Sequence, residues 1–344
     1  MRLVTIEIQT VLGRHERLGL PWRGGVLDLN SATAWRLSQQ GESAWRSLAD
    51  ALCPPDLIAF LTLGPRAFKE LRETLAALEG FETLPTAPDG ASLVHGDGSY
   101  ALLAPLPRPQ SLRDFYAFEE HVRTGFAKRG EAIPEPWYEV PVYYKGNHRT
   151  LLGPEAPLPW PRYTRKLDFE LEVAVVIGRE GRNISLEDAA DYIAGYTILN
   201  DVSARDIQRK EMACRLGPAK GKDFATVIGP WLVTPDELDC RSPWPAIVRV
   251  NGEVWSDSDA GNPYWSFAQM IAHVSMDETL YPGDLIASGT VGRGCGLELD
   301  RWIQPGDVVE LEVAGLGVLR NIVGQPCKEP MPQLRPGSSG PASA

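Results

Sequence analysis

LDFELEVAVVIG, residues 167–178, sets two glutamates at the mouth of an apolar run rich in β-branched residues. Val173, Ala174, Val175, Val176 and Ile177 read as a buried strand, because β-branched side chains fit a pleated, packed surface. Side chains alternate along a strand, so Glu170 and Glu172 share a face, with Cα atoms roughly 7 Å apart at about 3.3 Å per residue. Two anions beside apolar neighbours repel each other and lose hydration unless a cation lies between them. A strand facing water would carry the same Glu-x-Glu pattern at little cost, and the pair alone does not separate these readings. Asp201 in GYTILNDVSARD, residues 195–206, favours the cation. It closes a second apolar run, Tyr196 to Leu199, and precedes a helix start at which Ser203 is the expected cap. Strand ends facing helix starts commonly assemble ion and small-molecule sites. A donor set of oxygens alone suits magnesium, calcium or manganese better than zinc, which prefers His or Cys.

Outward from this centre, the chain has 344 residues, enough for two domains. Its 34 Lys and Arg against 45 Asp and Glu leave a net charge of -11. That charge argues against a nucleic-acid or anionic-membrane partner, since both would be repelled over a Debye length of about 8–10 Å. The five cysteines form no C-x-x-C pair, so neither a zinc knuckle nor a disulfide framework is indicated, and a reduced, cytoplasmic setting is expected. MRLVTIEIQT alternates like a strand and lacks a signal-peptide pattern, and no apolar run reaches the ~18 residues of a membrane span.

Residues 1–105 read as a small first domain with a strand, a Gly24-Gly25 turn and helices near 42–50 and 65–79. Pro105, Pro107 and Pro109 form a stiff connector. In SLRDFYAFEEHVRTGFAKRG, residues 111–130, Phe115, Phe118, Val122 and Phe126 recur at helical spacing, which predicts one helix from Ser111 to Gly130. Seven residues nearly close two turns, so Asp114 and His121 would face one pocket from that helix. Asn251-Gly252 within VRVNGEVWSD signals a hairpin, and two Pro-Gly-Asp turns, at 282–284 and 305–307, punctuate a β-rich remainder. Residues 329–344 hold few apolar anchors and read as a disordered tail.

YYKGNH, LDFELEVAVVIG, GYTILNDVSARDIQ, KGKDFATVIGPWLVT, PGDLIASGTVG and PGDVVELEVAGLG occur in this order, and together they resemble the fumarylacetoacetate hydrolase family over roughly residues 110–325. The resemblance implies a β-roll of mixed sheets with short helices over 110–328, preceded by a small barrel-like domain, and a homodimer. It also implies a divalent ion, magnesium first and calcium or manganese as alternatives, held by Asp114, Glu170, Glu172 and Asp201. His121 matches the family's catalytic base and Glu298 the acid that orients it. Lys222 matches a group that stabilises developing negative charge, and Thr226 lies near the metal. Tyr116, Arg129, Tyr144, Gln208 and Thr290 correspond to positions that contact substrate. Lys145 stands where the vertebrate-type branch has His, and Met212 where it has Tyr, so the substrate need not be shared.

These matches lead to the expectation of a metal-dependent hydrolase that cleaves a carbon-carbon bond in a small anionic β-diketo acid, such as fumarylacetoacetate or an acylpyruvate, by His-activated water. Such chemistry belongs to aromatic amino acid catabolism. An isomerase, decarboxylase or hydratase of oxo- or dienoate intermediates is the enzymatic alternative, and a non-catalytic dicarboxylate-binding module the alternative of another class.

Overall fold

Alternating apolar residues at the start of the chain become β1 (Arg2–Thr10), which turns at exposed Val11 and Leu12 into β2 (Gly13–Trp22). A turn through Gly24, at φ 82°, leads into β3 (Gly25–Asp28). The Asp28 carboxylate accepts a hydrogen bond from the Ser31 N–H and so caps α1 (Leu29–Gln39). Helices α2 (Trp45–Leu52), α3 (Leu57–Thr62) and α4 (Pro65–Leu78) follow, then β4 (Val94–Gly96) and β5 (Tyr100–Leu102). Helix α1 escaped the sequence pattern because it is buried on nearly every side and carries no polar stripe.

The computed structural model describes residues 1–329, and the expectation for 329–344 lies outside them except at Glu329, which is exposed and pairs with Arg162 at 3.0 Å. After the proline connector the chain departs from the predicted helix. Ser111–Phe115 form a strand, β6, and the helix, α5, spans only Glu119–Ala127. The helical spacing of Phe115 and Phe118 is overridden by pairing, since β6 lies parallel to one strand and antiparallel to another. Next come β7 (Tyr143–Lys145), β8 (Leu151–Leu152), β9 (Leu158–Trp160), β10 (Leu167–Asp168), β11 (Leu171–Ile177), β12 (Gly181–Arg182), β13 (Ile193–Asn200), β14 (Ser203–Ala204) and α6 (Arg205–Ala213). Ser203 does not cap α6. It is held in a bridge to Asp168, and its hydroxyl donates to the Asp201 carbonyl at 3.0 Å. The chain then forms β15 (Thr226–Val233), the Asn-Gly hairpin of β16 (Pro245–Val250) and β17 (Glu253–Asp259), α7 (Phe267–Ser275) and β18 (Thr279–Leu280). Strand β19 (Asp284–Ala287), α8 (Gly296–Leu299), β20 (Val308–Val313) and β21 (Gly317–Pro326) complete the described residues.

Twelve strands join in one sheet whose main path runs β4-β3-β2-β1-β15-β13-β11-β19-β6-β7, with β5 on β1 and β8 on β15. The ladder crosses the proline connector, because Arg2 and Leu3 of β1 pair with Val233 and Leu232 of β15. A second sheet of five strands runs β17-β16-β20-β21-β9. Strand β11 is buried on both faces, which explains its unbroken apolar run. Leu171 and Val173 pack into a core with Val248, Leu311 and Leu319 of the second sheet. Ala174 and Val176 face a core shared with Leu3, Leu18 and Phe60. By alternation Glu172 lies on the face of Ala174 and Val176, in protein rather than in water, and it is 1% exposed.

Candidate active site

Three strands deliver the acids. Asp114 comes from β6, opposite Ala287 of β19, Glu172 from β11, opposite Leu199 of β13, and Asp201 follows the end of β13. One carboxylate oxygen from each lies within 4.8 Å of the other two. Asp114, Glu172 and Asp201 are 3%, 1% and 1% exposed. Each also keeps one buried oxygen without a hydrogen-bond partner: Asp114 Oδ1, Glu172 Oε2 and Asp201 Oδ1. Burial and then the charge of Asp201 push the Asp114 carboxyl well above the usual carboxylate range. Burial and then Asp114 do the same to Glu172. Asp201 is also raised, by burial first and by Glu170, against the opposing pull of Lys222. Buried acids crowded in this way need protons or a cation, and three carboxylates that each bring an oxygen within 4.8 Å of the others fit a hard divalent ion.

Two of the remaining oxygens are tied down. The Tyr144 hydroxyl donates to Asp201 Oδ2 at 2.8 Å, and Thr290 Oγ1 lies 3.4 Å from Glu172 Oε1. Gly289, at φ 79°, lets the segment carrying Thr290 pass β6, since a Cβ there would sit 2.4 Å from the Phe115 carbonyl oxygen. Lys222 forms ion pairs with both Asp201 and Glu170. Glu170 stands beside the triad rather than in it, because its other oxygen is 2.8 Å from Arg205 Nη2. Burial alone would raise the Glu170 carboxyl, but Arg205 and Lys222 hold it well below the usual range.

His121, in the first turn of α5, brings Nδ1 to 2.8 Å from Glu298 Oε2. Both side chains are buried, at 7% and 2% exposure. Glu298 Oε1 accepts the Arg293 N–H at 3.0 Å, and Cys295 Sγ lies 3.3 Å from Oε2. Burial pushes the Glu298 carboxyl up, yet the adjacent His121 and these donors bring it below its ordinary value. The short helix α8 that carries Glu298 is set by Asp168, whose carboxylate accepts the Gly296 and Leu297 N–H groups at 2.9 and 3.0 Å. Arg205 then spans Asp168, at 2.7 Å, and Glu170, at 2.8 Å. A buried chain of ion pairs therefore runs from Asp168 through Arg205, Glu170 and Lys222 to Asp201, and Asp168 holds the Glu298 helix by its backbone N–H groups.

Tyr116 packs its ring edge-on to His121 at 5.3 Å, and burial pushes its hydroxyl up to about 12. Gln208 on α6 accepts from Arg205 Nη1 at 3.1 Å. Thr226 is buried at the start of β15. Arg129 is not brought to the acids. It stacks on Phe126, pairs with Glu131 at 3.3 Å, and its charge reaches the Tyr116 hydroxyl. Met212 is half exposed, and Lys145 is exposed. Sequence reasoning passed over Asp168, Arg205 and Cys295, although all three lie in or beside the quoted motifs. The available signal was the excess of buried acid, which one lysine could not balance.

A family model described as fumarylacetoacetate (FAA) hydrolase C-terminal matches residues 110–324. The chain is 30% identical over 325 residues to the mitochondrial oxaloacetate tautomerase FAHD2A of Bos taurus, covering 94% of this chain and 91% of that protein. A probable 2-hydroxyhepta-2,4-diene-1,7-dioate isomerase from Mycobacterium abscessus superposes with a TM-score of 0.62 at 26% identity, covering 94% of this chain and 98% of that one. The maleylpyruvate hydrolase of Sphingobium sp. SYK-6, solved with manganese (II) and pyruvate, shares the fold with a TM-score of 0.64 at 22% identity, over 95% and 100% of the two chains.

Proposed function

The chain belongs to the fumarylacetoacetate hydrolase family, a family of enzymes, and on that footing we propose that it moves a proton at the enolisable carbon of a small 2-oxo dicarboxylic acid. The observation that carries this is the buried His121–Glu298 contact in the same chain as three buried carboxylates that each keep an orphaned oxygen. Asp114, Glu172 and Asp201 would hold the divalent cation, which when bound supplies Lewis-acid polarisation of carbonyl oxygens. His121 accepts the proton, and Glu298, 2.8 Å away, stabilises the imidazolium that results. Lys222, whose ammonium is kept charged by Asp201 and Glu170 despite burial, is the positive charge that would stabilise an enolate oxygen. Tyr116 and Tyr144 exclude water and orient His121 and Asp201.

Keto–enol tautomerisation is supported by the likeness to the bovine tautomerase over almost the whole of both chains. Hydrolysis of a β-diketo acid is the second reading, favoured by the same dyad, since a buried imidazole paired with a carboxylate serves equally to deprotonate water. Oxaloacetate and an acylpyruvate, each incubated with the magnesium-loaded enzyme in deuterated or oxygen-18 water, separate them. Accelerated exchange of the carbon-bound hydrogens, with the substrate skeleton intact, is the expected result. Solvent oxygen in a new carboxylate would replace tautomerisation with hydrolysis, and neither outcome would defeat both. The homodimer and the assignment of residues 1–105 as a separate module belong to the same proposal.

A further inference from the structure

Besides the three acids, the structure gathers a second set of metal-ligating side chains with different chemistry. His121, Cys295 and Glu298 each offer one ligand atom, all within 4.8 Å of one another. His121 Nδ1 and Cys295 Sγ approach the same oxygen, Glu298 Oε2, at 2.8 and 3.3 Å. His121 and Cys295 are both buried. For all its closeness to Glu298, Nδ1 makes no well-directed hydrogen bond, which leaves a buried ring nitrogen short of a partner among the described residues.

We propose that His121, Cys295 and Glu298 form a second cation site, selective for thiophilic divalent ions such as zinc, and that an ion bound there switches the enzyme off. Nitrogen, sulfur and a single carboxylate make a donor set suited to zinc, which binds Cys at about 2.3 Å and His at about 2.0–2.1 Å. The carboxylate triad offers only oxygens and keeps its preference for hard ions, so the two clusters are of opposite selectivity. Three protein ligands leave a fourth tetrahedral position for water. As the metal–sulfur bond forms, the Cys295 thiol releases its proton to solvent. The imidazole ligates as the neutral ring through Nδ1, so its proton stays on Nε2 and the ring can accept no other. Binding needs only this geometry, whereas inhibition also rests on His121 being the base.

The test uses the full-length chain saturated with magnesium and titrated with cobalt(II). A thiolate-to-cobalt charge-transfer absorption in the near ultraviolet is expected, lost on adding zinc and absent in Cys295→Ser. His121→Gln, a second variant should the first unfold, should weaken zinc binding by more than the roughly tenfold that loss of a group merely orienting a ligand costs. Zinc should stop turnover of the parent in excess magnesium and spare Cys295→Ser, with thermal unfolding confirming that each variant is folded. No band in the parent overturns the site. So does a band that persists in both variants, which would come from an exposed thiol such as Cys214 or Cys327. A band that depends on Cys295, with turnover undiminished by zinc, supports the site and overturns His121 as the base.

Discussion

Glu298→Gln removes one charge from the site and almost nothing of its shape. The side chain is 2% exposed, with Oε2 2.8 Å from His121 Nδ1, so a proton arriving on His121 creates a buried pair of opposite charges. Unit charges about 4 Å apart are worth about 4 kcal/mol at an effective dielectric near 20. The amide dipole that replaces the carboxylate recovers part of this, which leaves a loss of about 2–3 kcal/mol in the proton-transfer step. That corresponds to a fall in kcat of roughly 30- to 150-fold. KM should hardly change, because Glu298 acts on His121 rather than on substrate, and the Gln side chain still accepts the Arg293 N–H. Steady-state kinetics on the enol absorbance under saturating magnesium would measure the effect. Calorimetric metal affinity and thermal unfolding would confirm that the acids and the fold are intact. A folded, metal-replete variant with the parent's kcat would refute the assigned dyad, and a loss confined to metal affinity would show that Glu298 serves the triad instead.

Asp114→Asn should abolish the thermal stabilisation that magnesium gives the parent, expected at about 2.7 kcal/mol for a ligand one hundredfold above its Kd. The same change should raise the melting temperature of the chelator-treated protein, since it removes one of three mutually repelling buried acids, and an unchanged metal response would count against the triad. Away from the site, burial raises the Asp28 carboxyl, but the neighbouring His95, 3.8 Å away, and hydrogen bonds from Arg17 together with the Arg17 charge lower it to about 2. A depressed folded-state value contributes stability above about pH 4 that is lost as pH falls towards 2, about 2 kcal/mol in all. Urea unfolding of the parent and Asp28→Asn should therefore converge across that window, and a constant gap between them would exclude the linkage.

How much of this was written locally can be traced residue by residue. The Glu-x-Glu strand, the position of Asp201 at a strand end, the Asn251-Gly252 hairpin and the two Pro-Gly-Asp turns depend on neighbours within a few positions, and the structure forms each of them. Ordered motifs carried the family. The helix predicted from Ser111 failed for the opposite reason. Leu112 and Asp114 are claimed by β19, more than 170 residues ahead in the chain, and a periodicity read over twenty residues contains no trace of that partner.

The sequence by itself determined the donor chemistry: oxygens for a hard ion, an imidazole for a base, and the strands that lead to Glu172 and Asp201. Only the tertiary structure decided which acids share a point in space, placing Asp114 with Glu172 and Asp201 while Lys222 and Arg205 draw Glu170 aside. It also brought Cys295 to the His121–Glu298 pair and ran the first strand of the chain onto β15. The physical reason is that charge interactions and backbone pairing act through distance in space, and in this sheet their partners are separated by tens to hundreds of residues along the chain.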